Sequence, residues 1–134
     1  PGVETVDFET LLHESDILTI HVHLTETTRD MIDTGALARM KPGALLINTS
    51  RGAVVDEAAL LSALESERLA GAGLDVIDGE WLDDKRGHPL IAYAKAHDNL
   101  VITPHIGGAT TESIYGARVF MARKLADFLR AEAA

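Results

Sequence analysis

The chain has 134 residues, of which 46% are hydrophobic, so it can bury a core of domain size. It carries 21 acidic against 12 basic residues, a net charge of −9, and only 4% aromatics; this composition speaks against nucleic acid as a partner. The absence of cysteine excludes disulfides, thiolate catalysis and cysteine-ligated metals, and it fits a cytoplasmic location. Neither a membrane span nor a secretory signal is expected: no apolar run nears the roughly 18 to 20 residues of a span, and PGVETVDFE lacks a basic stretch leading into an apolar one.

In chain order, Asp7 is placed to cap a short helix over Phe8–His13, and ILTIHV at Ile17–Val22 predicts a strand. A helix over Thr34–Met40 ends at Lys41-Pro42-Gly43, and Ala44–Ile47 forms the next strand. Asp56 caps a helix running to Leu69, with Ala59, Leu60, Ala63 and Leu64 as its apolar stripe. A third strand is expected at Ala72–Ile77, a short helix at Leu90–Ala96, and a fourth strand at Leu100–Thr103. The last helix spans Thr110–Ala134, with Thr110 or Thr111 as its cap. The four strands are short and nearly continuously apolar, which predicts burial on both faces of a parallel sheet. Strands alternating with helices predict an α/β fold with a doubly wound parallel sheet.

Ligands of such sheets bind beyond the carboxyl ends of the strands. Polar residues cluster there: Thr25–Thr28, Asn48–Arg51, Asp78–Glu80 and His105–Gly108. Arg51 presents a planar fork suited to a carboxylate, although pairing with a surface acid fits its spacing equally. Asp75 lies in an apolar run, where its charge needs a donor. Glu80 follows in a loop and on its own reads as surface decoration. His105 sits between a strand and a helix start, beside Gly107 and Gly108, where an imidazole can act as acid or base. His13, His88 and His97 lie in polar stretches and receive no role. The histidines show no metal-ligand spacing, so no metal is expected.

Four segments together, SDILTIHVHLTETTRDMI, MKPGALLINTSRGAVVDEAAL, GAGLDVIDGE and NLVITPHIGGAT, resemble the D-isomer-specific 2-hydroxyacid dehydrogenases, phosphoglycerate dehydrogenase among them. The resemblance runs from about Val6 to about Thr110. It implies a Rossmann-like NAD-binding domain acting on a small 2-hydroxy or 2-keto acid, with NADP not excluded. Arg51 would then bind the substrate carboxylate and polarise its 2-carbonyl. His105 would exchange the proton at the 2-oxygen, and Glu80 would orient it and favour its charged form. Asp75 would receive the nicotinamide carboxamide. His21, Val22, His23, Thr28, Thr49 and Ser50 would line the cofactor, with Gly107 and Gly108 against it. Two residues depart from the family pattern: His23 and Trp81 stand where proline is common.

The resemblance also implies missing parts. No GxGxxG is present, so the first βαβ unit, with its phosphate-binding turn and acidic ribose-binding residue, is expected upstream of Pro1. A terminal proline fits a fragment or the removal of an initiator methionine. Residues 1–109 would be the carboxyl-terminal half of the dinucleotide-binding domain, and 110–134 a helix crossing back to a substrate domain. The first strand would be left as an exposed edge, so a homodimer, a higher oligomer or a companion chain covering that edge is expected. The alternative function is a non-catalytic oligomerisation or interaction module derived from the same fold.

Overall fold

The computed structural model of the chain describes residues 2–81 and 87–132. These divide into two compact units, the first ending at Pro104 and the second beginning at His105.

The first unit opens with helix α1 (Phe8–Glu14), whose cap Asp7 accepts the Thr10 N–H at 2.8 Å, and continues into strand β1 (Ile17–Ile20). Helix α2 (Thr34–Arg39) starts at Asp33, which accepts the Ala36 N–H, and leads to β2 (Ala44–Asn48). A 3₁₀ turn at Gly52–Val54 follows, then helix α3 (Glu57–Glu65), β3 (Leu69–Leu74), α4 (Pro89–Ala94) and β4 (Leu100–Ile102). The second unit holds helix α5 (Thr111–Glu132), where the Thr110 hydroxyl accepts the Ser113 N–H at 3.1 Å.

The sheet is wholly parallel in the order β1-β2-β3-β4. Each crossover moves one strand in the same direction, and right-handed crossovers then set α2, α3 and α4 on a single face. Burial agrees with this geometry. Leu18, Ile20, Leu46, Ala72, Leu74 and Leu100 are buried against the helices, with Leu12, Leu37, Leu60 and Leu64 completing the core. On the opposite face Ile17, Leu45 and Val101 are 60%, 37% and 60% exposed. The expected burial of every strand on both faces is therefore corrected. In this four-stranded sheet β1 alternates exposed and buried residues.

Several boundaries differ from expectation, most by a residue or two; the larger shifts are in the first and third strands and in α3. The first strand ends at Ile20 instead of Val22, so His21, Val22 and His23 lie in the loop beyond it. The third strand starts at Leu69 and ends at Leu74; Val76 and Ile77 are buried by packing without joining the ladder. Helix α3 stops at Glu65 because Ser66 turns its hydroxyl onto the Ser62 carbonyl at 2.7 Å and Glu67 takes a left-handed φ of 54°. No glycine marks that stop, so the sequence gives no warning of it.

Candidate active site

In a parallel sheet all carboxyl ends lie on one side, which gathers the segments after β1, β2, β3 and β4. After β2, Asn48 is 1% exposed and organises the loop. Its Nδ2 donates to the Arg51 carbonyl at 2.9 Å, and its Oδ1 accepts from the Ser50 N–H at 3.0 Å and the Ser50 hydroxyl at 2.9 Å. Its backbone carbonyl accepts the Asp75 N–H at 2.9 Å, which ties the end of β2 to the end of β3. Asn48 was legible only as one more polar residue at a strand tip; its burial reveals the role.

Arg51 is exposed, and its Nη1 donates to the Ser50 carbonyl at 2.6 Å. It has no acidic partner among the described residues. Among the described residues, the surface ion pair that its spacing allowed is not formed. Thr49 is exposed beside it.

Gly52 packs directly on the chain that leaves β3. A Cβ built on it would lie 2.1 Å from both the Asp78 nitrogen and the Ile77 carbonyl carbon. The Arg51 loop and the stretch leading to Glu80 are thereby pressed together backbone to backbone. Asp78 turns through Gly79, whose φ of 69° suits glycine, and Glu80 follows, half-buried. Trp81 is 83% exposed.

Asp75 is 8% exposed and stands one residue past β3, not within it. Its carboxylate accepts the Thr103 hydroxyl, and the Thr103 N–H donates to the Leu74 carbonyl at 2.8 Å. The donor that a buried charge demands is present.

After β1, the Thr28 hydroxyl donates to the His23 carbonyl at 2.7 Å and accepts the Thr25 N–H at 2.8 Å. The His21 ring pairs with the Thr19 hydroxyl at 3.0 Å. Thr28 thus closes its own loop. An isolated parallel bridge between Ile32 and Val55 fastens the end of that segment to the Arg51 loop.

His105 opens the second unit with φ 55°, an uncommon backbone for any residue but glycine. Gly107 and Gly108 follow in a turn, and a Cβ on Gly108 would meet open space. Within the first unit, the structure thus brings together the Arg51 loop, the Glu80 loop and Asp75; His105, Gly107 and Gly108 belong to the second.

Two histidines without an expected role are engaged. The His97 ring stacks on Tyr93 at 3.9 Å between centroids, and His88 pairs with Glu57 at 3.1 Å. Glu57 also accepts the Asp78 N–H at 2.8 Å. Burial pushes the Glu57 carboxyl up from its usual value, while the Asp78 N–H and His88 pull it down. Among the described residues no group of three or more metal-ligating side chains is assembled.

The model of the D-isomer specific 2-hydroxyacid dehydrogenase, NAD binding domain, matches residues 1–107. The glyoxylate reductase of Thermococcus litoralis is 47% identical over 131 residues, which cover 98% of this chain and 38% of that protein. The D-3-phosphoglycerate dehydrogenase of a Synechocystis species is 37% identical over 128 residues, covering 96% of this chain and 22% of that one. Among solved structures, the NAD-complexed D-isomer specific 2-hydroxyacid dehydrogenase of Lactobacillus delbrueckii ssp. bulgaricus superposes with a TM-score of 0.79 and 36% identity, over 90% of this chain and 40% of that one. The chain thus spans between a fifth and two fifths of the length of these relatives. By its sheet order, its strand-end loops and these matches, the chain belongs to the D-isomer specific 2-hydroxyacid dehydrogenase family, as part of its NAD-binding domain.

Proposed function

We propose that these residues are the carboxyl-terminal half of the NAD-binding domain of an oxidoreductase that interconverts a D-2-hydroxy acid and its 2-keto acid. The observation that carries this is the mounting of Arg51: an exposed guanidinium with no acidic partner among the described residues, on a loop held by buried Asn48 and pressed through Gly52 against the approach to Glu80. Such an arginine is ready for a ligand's carboxylate.

In this scheme Arg51 takes the substrate carboxylate and polarises the 2-carbonyl. His105 gives its proton to the 2-oxygen during reduction and takes it back during oxidation. Glu80 orients the imidazole and favours its protonated form. NAD, when bound, carries the hydride. The side chains present fit its nicotinamide end. Asp75 is a fixed, buried carboxylate at a strand tip, suited to a carboxamide N–H. His21, Val22, His23, Thr28, Thr49 and Ser50 line the loops after β1 and β2, with Gly107 and Gly108 beyond β4. The Thr28 and Ser50 hydroxyls also donate within the protein, which fixes the loops they stand on. No GxGxxG fingerprint lies in the sequence, so the turn that would cradle the pyrophosphate is not among these residues.

The test is NADH oxidation by the complete gene product, with glyoxylate and hydroxypyruvate as probes. Arg51→Gln lowers kcat/KM about 10- to 150-fold, the equivalent of a hydrogen bond to a charged group, chiefly through KM. His105→Asn keeps a side chain that tolerates left-handed backbone and lowers kcat by about 10²- to 10⁴-fold. Wild-type turnover by the His105 variant would rule out the acid/base role.

A further inference from the structure

Glu57 and His88 belong to no motif that the proposed chemistry uses, yet their side chains are only 19% and 17% exposed. Glu57 begins α3, two residues after the segment that carries Arg51 and the 3₁₀ turn. Each of its carboxylate oxygens serves a different partner. Oε1 accepts the Asp78 N–H at 2.8 Å, and Oε2 faces His88 Nε2 at 3.1 Å. His88 Nδ1 is buried with no hydrogen-bond partner among the described residues, so Nε2 carries the proton toward Glu57. Asp78 and His88 stand on either side of Glu80 in the chain: Asp78 two residues before it, His88 as the cap of α4.

We propose that Glu57 is a positioning residue, its carboxylate clamping Asp78 and His88 so that Glu80 is held in fixed relation to the Arg51 loop. The inference rests on the assignment of Glu80 as the partner of His105. Two observations support it besides the hydrogen bonds. Gly52 and Glu57, five residues apart, both bear on Asp78, so the chain leaving β3 is gripped by backbone packing and by a charge-assisted bond together. Burial is also the largest influence on the Glu57 carboxyl, and it opposes ionisation. A charge placed where burial works against it is better explained by what it holds than by what it adds to stability.

Two measurements test the clamp. In the 134-residue chain, Glu57→Ala speeds hydrogen exchange at the Asp78 amide about tenfold, the equivalent of one lost hydrogen bond, whereas Glu57→Gln retains an acceptor and stays near wild type. In the complete gene product, Glu57→Ala moves the basic limb of the kcat/KM profile to lower pH, in the same direction as Glu80→Gln, and Glu57→Gln, which keeps the acceptor for Asp78 but sets an amide NH2 against the His88 Nε2–H, moves it less. A merely structural role would lower the melting temperature and leave the limb in place. If Glu80→Gln moves the limb and Glu57→Ala does not, the clamp is overturned while the Glu80 assignment stands. If Glu80→Gln has no effect, that assignment fails, and unchanged Asp78 exchange in Glu57→Ala then overturns the clamp as well. Should Glu57→Ala not fold, His88→Asn places a favourable cap residue at the start of α4 and removes the imidazole; an unmoved limb in that variant overturns the clamp.

Discussion

Gly52 sits where a methyl group has no room, because a Cβ there would lie 2.1 Å from the Asp78 nitrogen and the Ile77 carbonyl carbon. Both obstacles are backbone, so neither can swing away as a side chain would. Gly52→Ala is expected to cost about 1 to 3 kcal/mol, as overpacking does, and to shift the amide resonances of Arg51 and Asp78 together. An unchanged urea midpoint would contradict the close approach. The sequence shows a glycine after an arginine but not what presses on it, since Ile77 lies 25 residues away in the chain. The same distinction runs through the other site residues. Arg51 was legible as a carboxylate binder or a surface ion pair; its surroundings show a bond to the Ser50 carbonyl and no acidic partner among the described residues. The need of Asp75 for a donor followed from its apolar neighbours, but Thr103 as that donor did not. His88 gave no signal at all, because its partner is 31 residues earlier.

At the level of elements, caps and turns were readable because they are local. Asp7 and Asp56 were placed as caps from sequence, and each accepts backbone N–H groups at a helix start. The end of α3 was not readable, because it depends on the side chain of Ser66 and a left-handed Glu67. The start of α3 carries a competition whose sign can be measured. Burial raises the Glu57 carboxyl above its ordinary value of 4.5, the Asp78 N–H and His88 oppose this, and the nearby Asp78 charge adds to it. A carboxyl raised on folding contributes stability that is full below the unfolded value and lost as pH rises through the folded one. Glu57→Gln has no such titration. Wild type should therefore lose stability relative to Glu57→Gln as pH climbs from about 4.5, measured by chemical denaturation across a pH series. A gain instead would mean that the His88 pair outweighs burial.

At the scale of the whole molecule, Ile17, Leu45 and Val101 are exposed on the strands, and β1 stands at an edge of the sheet. We expect this chain by itself to associate through these apolar residues and that edge, in the absence of anything else to cover them. Sedimentation velocity should show species larger than a monomer, and Ile17→Lys with Val101→Lys should shift them toward monomer. A folded wild-type monomer at tens of micromolar would refute the expectation. The sequence by itself determined the alternation of strands and helices, the parallel α/β class and the family. Each of these is written in short-range periodicity and contiguous motifs. Only the tertiary structure decided that all the crossover helices of this sheet share one face, that Gly52 locks the Arg51 loop to the approach to Glu80, and that Glu57 joins Asp78 to His88. Those are contacts between residues far apart in the chain, fixed by strand order and close packing, and no local pattern encodes them.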